Sequence, residues 1–483
     1  MASPKTEWAL AELFESWAGV PPEIILPLAP SGSDRIYYRL QKNDKVAIGT
    51  YSPHAKESLA FLNFSKHFHE RKLPVPAIYA ENLDAKVYLQ EDLGSTTLYS
   101  FLLQNQHQFP DSLVQLYKKV VEKLAHLQIN GSKELQYTYC FPKESFDRES
   151  MFWDFNYFKY HFLLPSQVGF DEVALEKDFH QLADFLLQAD SEYFMFRDFQ
   201  SRNILIRNGN PYFIDYQGGR KGALQYDLAS LLYQAKANIP NDIRESLIQH
   251  YLDTASQLTN IDRDSFLSYF YGYVLMRNIQ VLGAYGFRGI YERKAHFLLS
   301  IPYGLKNIQW LLEEGKIPLA LPEITRCLQA IIKSQKYDPY DKSKGENSLL
   351  KVVVNSFSYH KRQIPVESSG NGGGFVFDCR FLHNPGRYEP YKKLSGKDES
   401  VINFLKHFSD MEPFLNNVYR MVDAAVENYL ERSFTHLEIN FGCTGGQHRS
   451  VYAADQLTAH LKDKYGIDVT LNHLEQANWS KEN

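Results

Sequence analysis

The chain has 483 residues, 44% of them hydrophobic and 23% charged, with a formal net charge of −5 and four cysteines. Its length calls for two or three domains with sizeable cores, and the acidic balance leaves nucleic acid no case from gross charge, only from a local basic patch. No apolar run approaches the roughly 20 residues that span a bilayer. The N-terminus lacks the basic and apolar regions of a signal peptide, and Cys140, Cys327, Cys379 and Cys443 are scattered without metal spacing. The expectation is a cytoplasmic protein with reduced thiols and no membrane partner.

In chain order, residues 7–20 place Leu10, Leu13, Phe14 and Trp17 on one helical face. The runs Arg35–Leu40, Lys45–Gly49 and Lys86–Gln90 alternate as antiparallel strands do. Between them Glu57 to His69 reads as an amphipathic helix, ended by Leu73-Pro-Val-Pro76. Helical spacing then recurs at 112–129, 172–189, 228–236, 242–257, 264–285 and 293–314. Strands first and helices after is the α+β order of two lobes, a small one over 1–92 and a large one over 95–330. The polar, aperiodic stretch at 334–347 marks an interdomain linker, assigned to 331–348. Over 349–483 strands alternate with helices: strands at 350–357, 375–381, 436–441 and 468–471, helices at 398–431 and 451–465. That pattern predicts a smaller α/β domain.

The most informative stretch is Arg197-Asp-Phe-Gln-Ser-Arg-Asn203, followed by Ile214-Asp215-Tyr216. Phosphoryl transfer from ATP needs a carboxylate to take the acceptor's hydroxyl proton and oxygen ligands to hold Mg²⁺ against the phosphates. A kinase catalytic loop supplies both in the spacing H-R-D-x-x-x-x-N, with a second Asp after the next hairpin. Asp198 is therefore the candidate base, and Asn203 and Asp215 the candidate metal ligands, with Phe196 where the His would stand. Together with the α+β order, this predicts a protein-kinase-like bilobal domain followed by the smaller α/β domain. Asp227, just ahead of an apolar helix, reads equally as an N-cap or as a brace for the catalytic loop.

For the nucleotide, Ser31, Gly32 and Ser33 form a small-residue loop that could cover phosphates. Glu91 and Leu93, at the expected junction of the lobes, are placed to offer backbone groups to adenine. The strand Val46-Ala47-Ile48 should end in a phosphate-binding Lys, but Gly49 stands there, and Lys45, Arg35, Arg39 and Lys56 are the nearby cations among which the sequence does not choose.

Residues 1–320 resemble the aminoglycoside phosphotransferase superfamily, and within it the N-acetylmuramate/N-acetylglucosamine kinases of the AmgK type. The similar stretches are Ser31–Arg39, Leu73–Ala80, Leu89–Gly94, Arg197–Asn203 and Met276–Gly286. The resemblance implies an ATP- and Mg²⁺-dependent kinase for a small-molecule sugar, phosphorylated at its anomeric hydroxyl, and a branch that shares the missing strand Lys. Trp153, Asp154, Tyr157, Arg277 and Gln280 are candidate acceptor contacts. Choline, an aminoglycoside or another cationic alcohol is the alternative acceptor, and a nucleotide sensor without turnover the alternative role.

In the second domain the strand His436–Phe441 runs into Gly442-Cys-Thr-Gly-Gly-Gln-His-Arg-Ser450 and a helix. A Gly-rich turn at a helix N-terminus is an anion site, with Thr444, Gly445, Gly446, His448, Arg449 and Ser450 as candidate contacts. Cys443 and Arg449 also have the C-x₅-R spacing of a thiolate phosphatase, the competing reading. Residues 351–475 resemble the RapZ C-terminal domain through Ser356–Tyr359, Phe375–Leu382 and Gly442–Tyr452. The resemblance implies a phosphosugar ligand and adds Asp378 and Arg380 to the site. Gln447 replaces the Lys usual before the His, and a basic C-terminal tail is missing. RNA, which is held through such phosphate contacts, is therefore the disfavoured partner.

Overall fold

The alternation in the first hundred residues becomes a five-stranded antiparallel sheet in the computed structural model, which describes residues 4–28, 34–105, 108–292, 294–338, 350–366, 374–431, 434–465 and 467–479. Its strands are β1 (Ile24–Pro27), β2 (Ile36–Lys42), β3 (Lys45–Tyr51), β4 (Ile78–Asn82) and β5 (Val87–Gln90), in the order β1-β2-β3-β5-β4. The helix Pro4–Ala18 covers one face, where Leu10 and Phe14 pack against Tyr38, Leu40, Ala47, Val87 and Leu89. Trp17 from the same helix stacks on Tyr79 with ring centres 4.4 Å apart. Gly49 pairs with Tyr38 and Leu89 and so belongs to this covered face. The opposite face carries Tyr37, Thr50 and Tyr88 and meets the helix Ala55–Glu70 through Phe61, whose ring centre lies 5.4 Å from that of Tyr88.

The chain divides into two units, one made of residues 1–291 with 300–336, the other of 292–299 with 337–483. The first continues beyond the sheet into helices at Asp111–Ser132, Arg148–Phe158, Glu172–Leu186, Leu224–Leu232, Asn241–Leu258, Arg263–Tyr285, Ile301–Glu313 and Pro322–Lys333. Two short antiparallel ribbons interrupt them: β6 (Tyr193–Met195) with β9 (Arg220–Gly222), and β7 (Ile204–Arg207) with β8 (Asn210–Phe213). This is the protein-kinase-like α+β fold expected, with three differences. The helix expected over 293–314 is two, a single turn at Ala295–Leu298 and then Ile301–Glu313, with Pro302 in the first turn of the second, where a missing N–H is no loss. The helix Arg148–Phe158 went unread because aromatic side chains lie all round it; Asp147 caps it, accepting from the Ser150 N–H at 3.0 Å. The start of the expected linker is helical, since Ile331 is buried in Pro322–Lys333, and residues 339–349 lie outside the described residues.

The second unit is an α/β fold on four parallel strands, β10 (Lys351–Ser358), β11 (Phe375–Asp378), β12 (His436–Cys443) and β13 (Asp468–His473), in the order β11-β12-β10-β13. The helix expected over 398–431 is two, Glu399–His407 and Met411–Glu431. Their apolar stripes and that of Arg449–Tyr465 build one core with Val352, Val354, Ile439 and Phe441. The chain leaves β10 toward β11 on one side and leaves β12 toward β13 on the other. The crevice beyond the carboxyl ends of β10 and β12 is thus a topological switch point, where open α/β sheets take ligands. Among the described residues no helix is long and apolar enough to cross a membrane.

A side chain at position 49 is excluded by packing, because a Cβ there would lie 2.5 Å from Leu40 Cδ1 and 2.8 Å from Leu10 Cδ2. Gly49→Ala is expected to destabilise the protein by about 1–3 kcal/mol, the usual range for overpacking, read as a lowered midpoint in urea unfolding.

Candidate active site

The loop after β6 is shaped by one buried carboxylate. Asp227, fully buried in the helix Leu224–Leu232, accepts from the N–H of Phe196 at 2.7 Å, the N–H of Arg197 at 2.9 Å and Gln128 Nε2 at 3.0 Å. Gln128 is itself held by the Tyr251 hydroxyl, which donates to its Oε1 at 2.6 Å. Burial pushes the Asp227 carboxyl up to about 7, against the N–H donors that favour its charge. Of the two readings of this residue, the brace is the one the structure contains; the N-cap position is Ala223. The brace lets Arg197 sit at φ 83°, a left-handed conformation that costs about 1–3 kcal/mol for a side chain of this kind. The Arg197 guanidinium then donates to Asp154 at 2.6 and 2.7 Å and to the Tyr226 hydroxyl at 2.6 Å. Burial works against its charge, and Asp154 and Tyr226 more than offset it.

Asp198 projects from this loop with 54% of its side chain exposed, and its Oδ1 accepts from Arg277 at 3.2 Å. Asn203 ends the turn Ser201–Asn203, and its Nδ2 donates to the Asp198 carbonyl at 2.9 Å, which leaves its Oδ1 outward. Asp215 follows β8 at φ 71°, and its Oδ1 accepts from Arg35 at 3.0 Å and from Gln217 at 2.9 Å. The remaining donors, Asp215 Oδ2 and Asn203 Oδ1, are hard oxygens. Among the described residues no three His, Cys, Asp or Glu side chains converge as a metal cage. A donor set this small and oxygen-only fits Mg²⁺, which takes one or two protein ligands and completes its shell with phosphates and water.

At the lobe junction the Glu91 N–H donates to the Ala77 carbonyl at 2.8 Å, so it is not available to a base. Among the described residues the Glu91 carbonyl and the Leu93 N–H make no backbone hydrogen bond, and an acceptor and donor two residues apart are what an adenine edge can use. Ser31, Gly32 and Ser33 lie outside the described residues. Of the candidate acceptor contacts, Arg277 is buried and donates to Ser230 Oγ at 3.0 Å and to Gln280, Asp154 is taken by Arg197, and Trp153 is 46% exposed. Tyr157 packs against His161, with ring centres 4.6 Å apart.

The Gly-rich turn of the second unit caps the switch point. Among the described residues the N–H groups of Thr444, Gly445 and Gln447 make no backbone hydrogen bond, and Gly445 is exposed. Gly446 has φ 67°, and a Cβ there would meet Glu475 at 2.6 Å. Arg380 is clamped by Asp378 through bonds of 2.6 to 2.9 Å and lies 4.0 Å over the Tyr359 ring. The Arg380 hydrogen bond lowers the Asp378 pKa, against burial.

Two expected contacts are corrected. His448 is buried, and its Nε2 donates to the Tyr391 carbonyl at 2.8 Å; burial lowers its pKa, so it is a neutral anchor rather than a cation. Ser450 is fully buried against Cys443, Oγ to Sγ 3.1 Å. Arg449 is also buried, donating to the carbonyls of Arg380 and Leu382 at 2.9 Å each and reaching Thr444 Oγ1 at 3.4 Å, while its Nε has no partner among the described residues. The thiolate-phosphatase geometry is thereby lost: Cys443 is 2% exposed and its Sγ accepts from the Gly446 N–H.

The model of the phosphotransferase enzyme family matches residues 25–266, half of the chain and the part that holds this loop. The chain belongs to that family. In this phosphotransferase a second match, to the RapZ C-terminal domain, covers residues 350–477. A nucleotide-binding protein of Dinoroseobacter shibae is 40% identical over 126 residues, 26% of this chain and 40% of that protein. One from Cereibacter sphaeroides is 35% identical over 170 residues, 34% of this chain and 54% of that protein. The phosphotransferase spans about half the length of the curated relatives it matches. Among solved structures it is similar to a choline kinase from Cryptosporidium parvum (TM-score 0.47, 15% identity, 67% of this chain and 99% of that one). It is also similar to an ethanolamine kinase from Plasmodium vivax (TM-score 0.44, 14% identity, 60% and 84%).

Sequence reasoning missed Gln128, 99 positions from Asp227, and Glu57, which accepts from Arg35 NH2 at 3.2 Å across 22 positions; neither carries a motif. Asp227→Ala in the phosphotransferase leaves two buried N–H groups without acceptors, a loss of about 2–6 kcal/mol at the usual 1–3 per group. Amide hydrogen exchange is expected to accelerate selectively at Phe196 and Arg197, alongside a lowered unfolding midpoint.

Proposed function

We propose that the first unit transfers a phosphoryl group from Mg-ATP to a hydroxyl of a neutral or acidic amino sugar, most simply the anomeric hydroxyl of an N-acetylated hexosamine. The observation that carries the acceptor class is charge pairing beside the loop. Asp198 is matched by Arg277 and Asp154 by Arg197, so neither of these two carboxylates is free to hold a cationic alcohol. The Trp153 ring, 46% exposed with Lys143 Nζ 5.4 Å from its centre, offers its remaining surface for stacking of the kind sugars use.

In this reading Asp198 orients the acceptor hydroxyl and takes its proton as the oxygen becomes nucleophilic. Asn203 and Asp215 hold the metal, and the Glu91 carbonyl and Leu93 N–H meet the base. Mg-ATP, when bound, supplies the γ-phosphoryl group and the cation that spreads its charge. Arg277 keeps Asp198 aimed, since its guanidinium is locked by Ser230 and Gln280. The second unit binds a phosphorylated amino sugar, its phosphate on the N–H groups of Thr444, Gly445 and Gln447 and beside Arg380. What supports this is the turn's place at the switch point together with the RapZ C-terminal match.

³¹P NMR of the protein with Mg-ATP and a panel of amino sugars, aminoglycosides and choline is expected to yield a sugar-1-phosphate resonance. Product from a cationic alcohol alone would sink the acceptor assignment, and no product at all would leave a nucleotide-binding regulator. Asp198→Ala should slow turnover by about 10²–10⁴-fold, the usual worth of a general base, with circular dichroism unchanged. For the second unit, calorimetric titration with glucosamine-6-phosphate should give saturable heat that Arg380→Ala weakens at least about tenfold, one lost charge-assisted contact; equal affinity in the variant would remove Arg380 from the site.

A further inference from the structure

The strand that should carry the phosphate-binding Lys cannot carry it. Gly49 lies on the sheet face covered by Leu10 and Leu40, so no side chain from that position reaches the face on which Tyr37 and Thr50 stand. On that other face, just ahead of β2, Arg35 is 8% exposed. Its NH2 donates to Glu57 Oε2 at 3.2 Å and its NH1 to Asp215 Oδ1 at 3.0 Å. Glu57 stands in the first turn of Ala55–Glu70, the one helix of the small lobe on this face. Of the other nearby cations, Arg39 donates to Asp92 at 2.6 and 3.2 Å, Lys45 lies over the Trp17 ring on the covered side, and Lys56 is exposed.

We infer that Arg35 takes the place of the missing lysine. It is the cation that holds the nucleotide phosphates and the positioning residue that fixes Asp215, with Glu57 as its anchor. A guanidinium suits both tasks. It presents separate N–H groups to two carboxylates and keeps further donors for phosphate oxygens, which a point-charge ammonium does less well. With Oδ1 of Asp215 tied to Arg35 and Gln217, only Oδ2 is left to turn to a metal. The sequence thus moves the charge from the middle of one strand to the entrance of the preceding one, which frees position 49 for packing.

The inference rests on the reading of this cleft as a nucleotide site, and the test separates the two. Binding of Mg-AMP-PNP is measured by titration calorimetry on the full chain for wild type, Arg35→Ala, Arg35→Lys and Glu57→Gln, with unfolding midpoints in parallel. Wild type is expected to bind, Arg35→Ala to bind at least tenfold more weakly, and Arg35→Lys to recover part of that loss. Glu57→Gln should keep nucleotide affinity within about threefold while lowering kcat, because the cation remains and only its aim is loosened. No binding by wild type would overturn the nucleotide reading and this assignment with it. Binding by wild type with equal affinity in Arg35→Ala would overturn the assignment alone. Should Arg35→Ala fail to fold, Arg35→Lys decides: unchanged affinity and unchanged KM for ATP would count against a role that depends on the guanidinium.

Discussion

The catalytic loop depends on the Asp227 carboxylate. It accepts two successive backbone N–H groups, of Phe196 and Arg197, and so dictates the turn that throws Asp198 outward. The same short helix supplies two further anchors. Tyr226 receives Arg197, and Ser230, just over one turn on, receives Arg277. All nine residues of Leu224–Leu232 are buried, which is why three polar side chains on it can be held so firmly. A buried polar network of this kind is costly if any member is left unpaired and rigid if all are paired. Here Gln128 and Tyr251 extend the pairing into the helices Asp111–Ser132 and Asn241–Leu258, so the loop's geometry is tied to the core of the large lobe.

The cleft is otherwise a set of matched charges. Asp154 with Arg197, Asp198 with Arg277, and Asp215 and Glu57 with Arg35 place three guanidiniums among four carboxylates. For each of the three arginines burial opposes the charge and neighbouring groups outweigh it, so that all three stay above the ordinary arginine value. An ammonium in such surroundings would deprotonate far more readily. The preference for arginine therefore follows from the burial itself. Removing the carboxylates that face any one of these arginines would leave an uncompensated buried charge, which is worse than never having had the pair.

Much of this was legible in the sequence, and the part that was not has a common cause. Local patterns survived into the structure: β2, β3 and β5 from alternation, the helices 241–258 and 263–285 from their spacing, and the close approach of Asp198 and Asn203 from their separation in one loop. The edge strand β1 escaped notice because Ile24, Leu26 and Pro27 are exposed and show no alternation. The Arg35 contacts escaped because Glu57 and Asp215 stand 22 and 180 positions away, and four cations competed on paper for one role. His448 and Ser450 were read as anion contacts from their place in the turn. The direction of His448 was set by something the turn does not encode, the segment 380–396 that packs against it, while Ser450 turns inward onto Cys443 Sγ.

That segment bears on what the second unit can hold. Gln447, where a lysine is usual, donates to the Leu394 carbonyl at 2.7 Å, and its own carbonyl accepts from the Gly396 N–H. Together with His448 on Tyr391 and Arg449 on Arg380 and Leu382, three consecutive residues fasten 380–396 to the turn. The turn is thereby preformed, but its side-chain charge is used internally, and Arg380, the exposed cation, is matched by Asp378. Whatever binds there would be held chiefly by directed backbone N–H groups and little by a long-range field. Such a turn suits a single compact phosphate, whose three oxygens can each meet a donor. A polyanion, whose affinity grows with the number of cations it neutralises, gains little from it.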